Sequence, residues 1–324
     1  MSISMATISL NSGDKMPTVG LRTWKISLEQ TSSLVYQAIQ LGYRHFDCAY
    51  GYHNEAQVGQ AIARAVSEGL VQRSELFITG KLWCAHHNHV RQAAEHSLAS
   101  LQLSYFDLYL IHFPIALAYR ASGKYPAAWS HEADGHVATQ KVSYQETWRA
   151  MEQLVEGDGL ARNIGFCNLP GAMVYDVLSY ARVMPAVMQI ELHPYLYRRQ
   201  LVGLAQARGI VVTAYSSFGD AGYRDHGLLS RESVRTTCPL LQHPVVREIA
   251  ARTGRSVAQV LLRWAVQRGC AVVPKTSSPA RLAENFDVLS FELTPEDMQQ
   301  LGGLDRGLIY NDPADYADHA IWAT

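Results

Sequence analysis

Eight short apolar runs recur along the chain, and helical patterns fill most of the gaps between them. The runs read PTVGLRTW (17–24), YRHFDCA (43–49), ELFITGKLW (75–83), FDLYLIHF (106–113), ARNIGFCN (161–168), PAVMQIEL (185–192), GIVVTAYSS (209–217) and GCAVVPK (269–275). They are rich in β-branched and aromatic residues and apolar on both faces. Such strands must be covered on both sides, which is the condition of a parallel sheet enclosed by helices. Helical spacing of apolar residues spans 27–42, 54–69, 90–103, 144–157, 172–181, 198–209, 244–254 and 256–269. Asn54 and Gln57 read as a capping-box-like pair opening the second of these. Strand and helix alternating eight times predicts an α/β fold, a (β/α)8 TIM barrel over 1–324 as a single domain. A short β-hairpin in TISLNSGDKMPTVGL precedes it. The rival architecture, a doubly wound open sheet, expects a GxGxxG fingerprint after the first strand, and the chain has none.

Length and composition agree with one barrel and narrow its partners. The chain has 324 residues, and a hydrophobic fraction of 48% fills a large core without staples. A net charge of −1 provides no field that draws it to nucleic acid or to an anionic membrane, so neither is expected as a partner. The five cysteines are scattered, odd in number and without CxxC spacing. They predict a reduced, cytoplasmic chain without a disulfide framework or a zinc ribbon. No apolar run approaches the length of a membrane span, and MSISMATISLNSGDK lacks the pattern of a signal peptide. Two stretches, 113–143 and 218–243, exceed ordinary loop length and are expected to serve as lids or binding loops. The tail NDPADYADHAIWAT ends in apolar residues and is expected to fold back on the barrel mouth.

Active sites of such barrels lie at the carboxyl ends of the strands. The polar and aromatic residues at or near the carboxyl ends of the eight runs are Trp24, Asp47, Lys81, His112, Asn168, Gln189, Tyr215 and Lys275. Asp47, Lys81 and His112 come from consecutive strands and should converge on one mouth. Tyr50 and Tyr52 follow Asp47 within five residues. A lysine ammonium beside a tyrosine stabilises the phenolate and lowers its pKa, and an aspartate keeps that ammonium in place. The phenol then serves as a general acid near neutrality, and the histidine can orient a carbonyl. No good nucleophile accompanies the set. It donates a proton to a carbonyl oxygen, so the electrons must come from a bound cofactor. The eighth run continues VVPKTSSPARLAEN, offering Lys275, the hydroxyls of Thr276, Ser277 and Ser278, Pro279 at a helix start and Arg281 in its first turn. That is the usual barrel phosphate site, and two cations with three hydroxyls suit a phosphomonoester. The histidines of CAHHNHVRQAAEH, His89 and His96 among them, lack a carboxylate or cysteine at ligand spacing, and no metal is expected.

These motifs together resemble the aldo-keto reductases over nearly the whole chain. The resemblance is carried by GYRHFDCAYGYHNEAQVG, LFITGKLW, FDLYLIHFP, IGFCN, QIELHPYL, AYSSFG and VVPKTSSPARLAEN. In texture SVAQVLLRWAVQRG and YNDP look like the xylose reductases, and GYRHFDCA like the plant aldose-6-phosphate reductases. The resemblance implies a catalytic tetrad of Asp47, Tyr52, Lys81 and His112, the spacing and the following Asn54-Glu55 selecting Tyr52 over Tyr50. It implies hydride transfer from a nicotinamide to a carbonyl, with Tyr52 as proton donor, Lys81 and Asp47 tuning it and His112 placing the oxygen. Thr23 and Trp24 would border the cofactor, Tyr215 would stack on the nicotinamide, and Cys167, Asn168 and Gln189 would meet its carboxamide. Ser216, Ser217 and Phe218 would begin the loop over the pyrophosphate. Lys275, Thr276, Ser277 and Arg281 would hold a 2′-phosphate, and Glu284 and Asn285 the adenine. NADPH is therefore the expected cofactor, with NADH as a secondary one.

Three departures stand out. Cys167 replaces the usual serine, and a thiol donates weakly. Arg22 replaces the usual glycine; it either meets an anionic substrate group or points away to solvent, the second being preferred. Gly51 stands where xylose reductases carry an aspartate that contacts sugar. Trp24, Tyr50, His112 and Phe113 are expected to line the substrate pocket, with Trp129 reaching in from the long loop. Asn311 matches a polar contact used by sugar reductases. The expected substrate is a small-molecule aldehyde or aldose. The alternatives are an aldose 6-phosphate and, in another class, a cofactor-binding regulatory subunit without turnover. A monomer or homodimer is expected.

Overall fold

A computed structural model describes residues 6–119, 137–226, 228–229 and 231–322. The chain opens with an antiparallel hairpin, β1 (Thr7–Ser9) and β2 (Lys15–Pro17), paired Ile8 to Met16. Eight parallel strands follow: β3 (Leu21–Arg22), β4 (His45–Asp47), β5 (Phe77–Leu82), β6 (Phe106–Ile111), β7 (Ala161–Cys167), β8 (Val187–Glu191), β9 (Val211–Tyr215) and β10 (Ala271–Val272). Each pairs with its sequence neighbour from β3 to β10. A parallel bridge between Val19 and Val272, with Gly20 N–H donating to Val272 O at 2.9 Å, joins the two edges into a barrel. The first and last strands are much shorter than their apolar runs because they meet at this closing seam, where pairing is reduced to single bridges.

Helices α1 (Leu28–Leu41), α2 (Glu55–Ser67), α3 (Val90–Leu101), α4 (Tyr144–Glu156), α5 (Gly171–Tyr180) and α6 (Arg199–Ala207) fill the successive crossovers. Two short helices, α7 (Ala221–Asp225) and α8 (Glu232–Arg235), lie in the long segment after β9. The alternation is less regular there than the sequence pattern predicts. Both α9 (Pro244–Thr253) and α10 (Val257–Gln267) precede β10, and α11 (Pro279–Phe286) and α12 (Pro295–Gly302) follow it. The capping expectation for α2 also fails, since the Asn54 side chain makes no cap hydrogen bond. Its amide donates to Thr23 O at 2.8 Å, Ile26 O at 3.3 Å and Thr31 Oγ1 at 3.3 Å, tying the loop after β3 to the start of α2.

Strand pleating sorts the side chains. Phe46, Ile78, Tyr109, Phe166, Met188 and Val212 face outward into the layer shared with the helices. Phe77, Leu108, Leu110, Val187 and Val211 face inward at the base of the barrel, where Leu10 and Met16 of the hairpin join them. Two or four residues further along these strands, the inward phase reaches the carboxyl ends. Period two therefore delivers Lys81, His112, Gln189 and Tyr215 to one mouth, above an apolar floor.

Candidate active site

Asp47 and Lys81 form a fully buried ion pair, Nζ to Oδ1 at 2.7 Å. The same ammonium donates to Cys48 O at 2.8 Å and to the Tyr52 hydroxyl at 3.2 Å. Asp47 Oδ1 also accepts from Gln189 Nε2 at 2.8 Å, a bond that crosses the barrel from β8 to β4. Tyr52 lies in a short 3₁₀ turn, Tyr50–Tyr52, directly after β4. This turn aims Tyr52 inward, whereas Tyr50 packs edge-on to His86 at 5.2 Å between ring centres. Of the two tyrosines, only Tyr52 is bonded to Lys81.

The electrostatics differ from the sequence argument in one respect. Burial drives the Tyr52 phenol above its ordinary pKa, and Arg22 and Lys81 pull it back only in part. Reasoning from charge alone omitted desolvation, which is the larger effect here. For Lys81, burial opposes the charge, but Asp47 and Tyr52 outweigh it and hold the ammonium above its usual value. His112 is held well below the usual histidine range by burial, then by Lys81 and Arg22, so its ring is neutral. That ring stands edge-on to Tyr52 at 5.9 Å and to Trp83 at 5.5 Å.

Arg22 is the main correction to the sequence reading. It does not point to solvent: only 7% of it is exposed, and its Nε donates to the Tyr52 hydroxyl at 3.0 Å. The guanidinium lies 4.7 Å from the Tyr215 ring centre and covers that face.

Thr23 and Trp24 flank Arg22 at the mouth; the Thr23 hydroxyl donates to Asp47 O at 3.3 Å. Asn168 donates to His112 O at 2.9 Å and accepts from the Tyr215 hydroxyl at 2.6 Å. Asn311 donates to that hydroxyl at 3.0 Å and accepts from Tyr316 at 2.9 Å. The amides of Asn168, Gln189 and Asn311 thus serve to fix the mouth's own side chains. Cys167 is buried at the end of β7, and burial raises its thiol to about 12, so it stays protonated. Tyr50 and Phe113 join Trp83 in an apolar cluster with Ile115, Leu117 and Val137. The sequence reading missed Trp83, which closes its apolar run two residues after Lys81, just beyond the end of β5. It passed over Glu191 too, whose signal was a carboxylate within an otherwise apolar strand. Trp129 lies outside the described residues.

A cleft of about 640 Å³ adjoins this mouth. Arg22, Trp24 and the Ser216–Phe218 segment border it, as do Lys275, Thr276, Ser277 and Arg281, with Glu284 and Asn285 beyond. Ser217 Oγ is buried there without a hydrogen-bond partner. Two cations beside hydroxyls and an unsatisfied buried hydroxyl fit a phosphorylated cofactor such as NADPH. From the loop after β9, Ala221, Gly222 and His226 also reach this cleft. Among the described residues no cluster of three histidine, cysteine or acidic side chains has metal-binding geometry, and His89 instead stacks on Tyr119 at 3.9 Å.

The model of the aldo/keto reductase family matches residues 16–306. A probable NAD(P)H-dependent D-xylose reductase of Emericella nidulans is 47% identical over 317 residues, 97% of this chain and 98% of the relative. The NAD(P)H-dependent D-xylose reductase of Hypocrea jecorina is 46% identical, covering 96% of each. Among solved structures, the aldose reductase of Schistosoma japonicum superposes with a TM-score of 0.86 at 35% identity, covering 97% of each chain.

Proposed function

The chain belongs to the aldo/keto reductase family, and from that premise we propose that it reduces the carbonyl of an aldehyde or aldose to the alcohol with NADPH. The observation that carries this reading is the buried chain from Asp47 through Lys81 to the Tyr52 hydroxyl, beside a neutral His112. When bound, NADPH supplies the hydride. Tyr52 supplies the proton to the carbonyl oxygen, and the Lys81 ammonium stabilises the phenolate that remains. A neutral imidazole carries one N–H, which His112 can offer to the same oxygen. Lys275 and Arg281, with Thr276 and Ser277, suit the 2′-phosphate that distinguishes NADPH, and NADH is the secondary cofactor. Trp24, Tyr50, Trp83 and Phe113 form the aromatic wall for the substrate.

Within this class we infer an unphosphorylated aldose. Arg22, the one sequence hint for a phosphate group, is engaged by Tyr52. Gly51 leaves out the aspartate of the xylose reductases, so xylose itself is not singled out. A cytoplasmic setting accords with five cysteines that stand as free thiols. Among the described residues no helix is long and apolar enough to cross a membrane.

The test follows NADPH absorbance against a panel of aldehydes, aldoses and aldose phosphates. Unphosphorylated aldoses should be consumed, and failure to oxidise NADPH with any aldehyde rejects the reading. Tyr52→Phe should lose about a hundred- to ten-thousand-fold in kcat, while Tyr50→Phe retains turnover. The reverse pattern would make Tyr50 the acid.

A further inference from the structure

Arg22 is a cation where this family usually has glycine, and the structure buries it in the candidate site. Its Nε lies 3.0 Å from the Tyr52 hydroxyl oxygen and 3.8 Å from Asp47 Oδ2. Its guanidinium carbon lies 5.1, 5.4 and 4.7 Å from the ring centres of Trp24, Tyr52 and Tyr215. A buried cation persists only where it is paired, and these contacts supply a carboxylate, a phenol and three aromatic faces. Arginine and lysine can only donate hydrogen bonds, and a phenol oxygen has two acceptor sites. At Tyr52 both are taken, one by Arg22 Nε and one by Lys81 Nζ at 3.2 Å. The single O–H of Tyr52 must then point away from the two cations.

We propose that Arg22 is a second positioning residue for Tyr52, completing with Lys81 a two-cation clamp on the phenol oxygen. The clamp aims the O–H outward and stabilises the phenolate after proton transfer. In that step the Tyr52 O–H bond breaks and a new O–H bond forms on the substrate oxygen. The carbonyl carbon receives the hydride from NADPH, which becomes NADP+, and the phenolate regains its proton from water. The inference rests on the reduction reading above. It goes beyond the Asp47–Lys81–Tyr52–His112 set by assigning a role to a residue outside it.

Ring-labelled [13C]tyrosine protein, with the Tyr52 resonance identified through Tyr52→Phe, allows the phenol to be titrated directly. Wild type, Arg22→Gln, Arg22→Lys and Arg22→Gly are compared, each free and saturated with NADP+. Arg22→Gly carries the residue usual in the family, so it retains the fold if Arg22→Gln does not. We expect the Tyr52 midpoint to rise by about one pH unit or more in the glutamine and glycine variants and by less in the lysine variant. The rise should persist with NADP+ bound, and the alkaline limb of kcat/KM for reduction should move by the same amount. Unchanged midpoints with an unchanged kcat/KM limb overturn the proposal. So does a shift that vanishes with NADP+ while NADPH binds about tenfold tighter or more, because Arg22 would then only fill space the cofactor takes. Where the phenol stays protonated throughout the stable pH range, the kcat/KM limb decides. Absence of NADPH oxidation in wild type would sink the reduction reading, whereas the phenol titration in the free protein would still report on the clamp.

Discussion

At the scale of single residues, the mouth is governed by where charge is buried. Lys81 has no solvent exposure and holds three partners, Asp47, Tyr52 and Cys48 O. Removing one member of a buried pair leaves the other uncompensated, at roughly 3–5 kcal/mol. Lys81→Met should therefore lower the melting temperature as well as abolish reduction, with the remaining Arg22–Asp47 approach at 3.8 Å softening the loss. A melting temperature equal to wild type would show that the Lys81–Asp47 pair contributes nothing to stability. Gly51 illustrates a different constraint. A Cβ there would sit 3.2 and 3.3 Å from two carbons of the Trp83 ring, so an aspartate at this position forces that ring to shift. The aspartate of the xylose reductases and the present seat of Trp83 are not compatible without that movement. Asp47, Lys81 and His112 could be read in advance because strand period two decides which face they occupy. The direction taken by Arg22 could not, because its partners Tyr52 and Tyr215 are distant in sequence.

Among elements, the tail and the loop after β9 complete the mouth. The expectation that the tail folds back on the barrel holds through Glu191 at the end of β8. Its carboxylate accepts from the backbone N–H of Tyr310 and of Asn311, both at 2.8 Å, and contacts His193 Nε2 at 2.9 Å. Hydrogen bonds to a charged group are worth about 1.5–3 kcal/mol each. Glu191→Ala should free the tail, raising amide exchange at 310–311 and weakening the Asn311 bond to Tyr215. Amide protection there equal to wild type would locate the anchor elsewhere. The loop after β9 contributes Tyr223, which bonds Ser216 at 3.0 Å and stacks on Tyr310 at 6.1 Å, so loop and tail touch over the candidate cofactor segment. The long length of 218–243 pointed to a binding loop, but its tie to the tail depends on a contact between residues far apart in sequence, Tyr223 and Tyr310. Asn54 failed as a cap for a similar reason. Capping is a local preference, and three acceptors in 23–31 offered the amide a better-satisfied position.

For the whole molecule, the balance of buried histidines and acids sets the response to pH. His45 and His87 are lowered to about 4 by burial, and His86 likewise to about 4 by burial and neighbouring histidines. An unfolded histidine binds its proton near pH 6.5, so between 6.5 and 4 the unfolded chain takes up protons the folded one refuses. Stability contributed by these rings is present above pH 6.5 and is lost as pH falls, by about 3 kcal/mol for each fully buried ring. Glu55, raised to about 7 by burial, acts oppositely: its contribution is present below 4.5 and is lost as pH rises toward 7. His112 and His243 are also lowered by burial, and Asp107 is raised by it, so five rings against two acids predict a melting temperature that falls between pH 6.5 and 4. A flat profile across that window would mean the rings titrate normally and are not sealed in the core.

Periodicity, which is a local property, determined the barrel, its eight strands, and the convergence of Asp47, Lys81 and His112 on one mouth. The same signal placed Lys275 and its hydroxyls after the last strand, because loop chemistry there is contiguous in sequence. Tertiary structure alone decided what those residues do to one another. Burial, not sequence neighbours, raises the Tyr52 phenol, and barrel closure brings Arg22 of the first parallel strand over Tyr215 of the seventh. Gln189 reaches Asp47 only because β8 and β4 face each other across the barrel. Desolvation and cross-barrel contact depend on the closed sheet as a whole, and no window of sequence contains them.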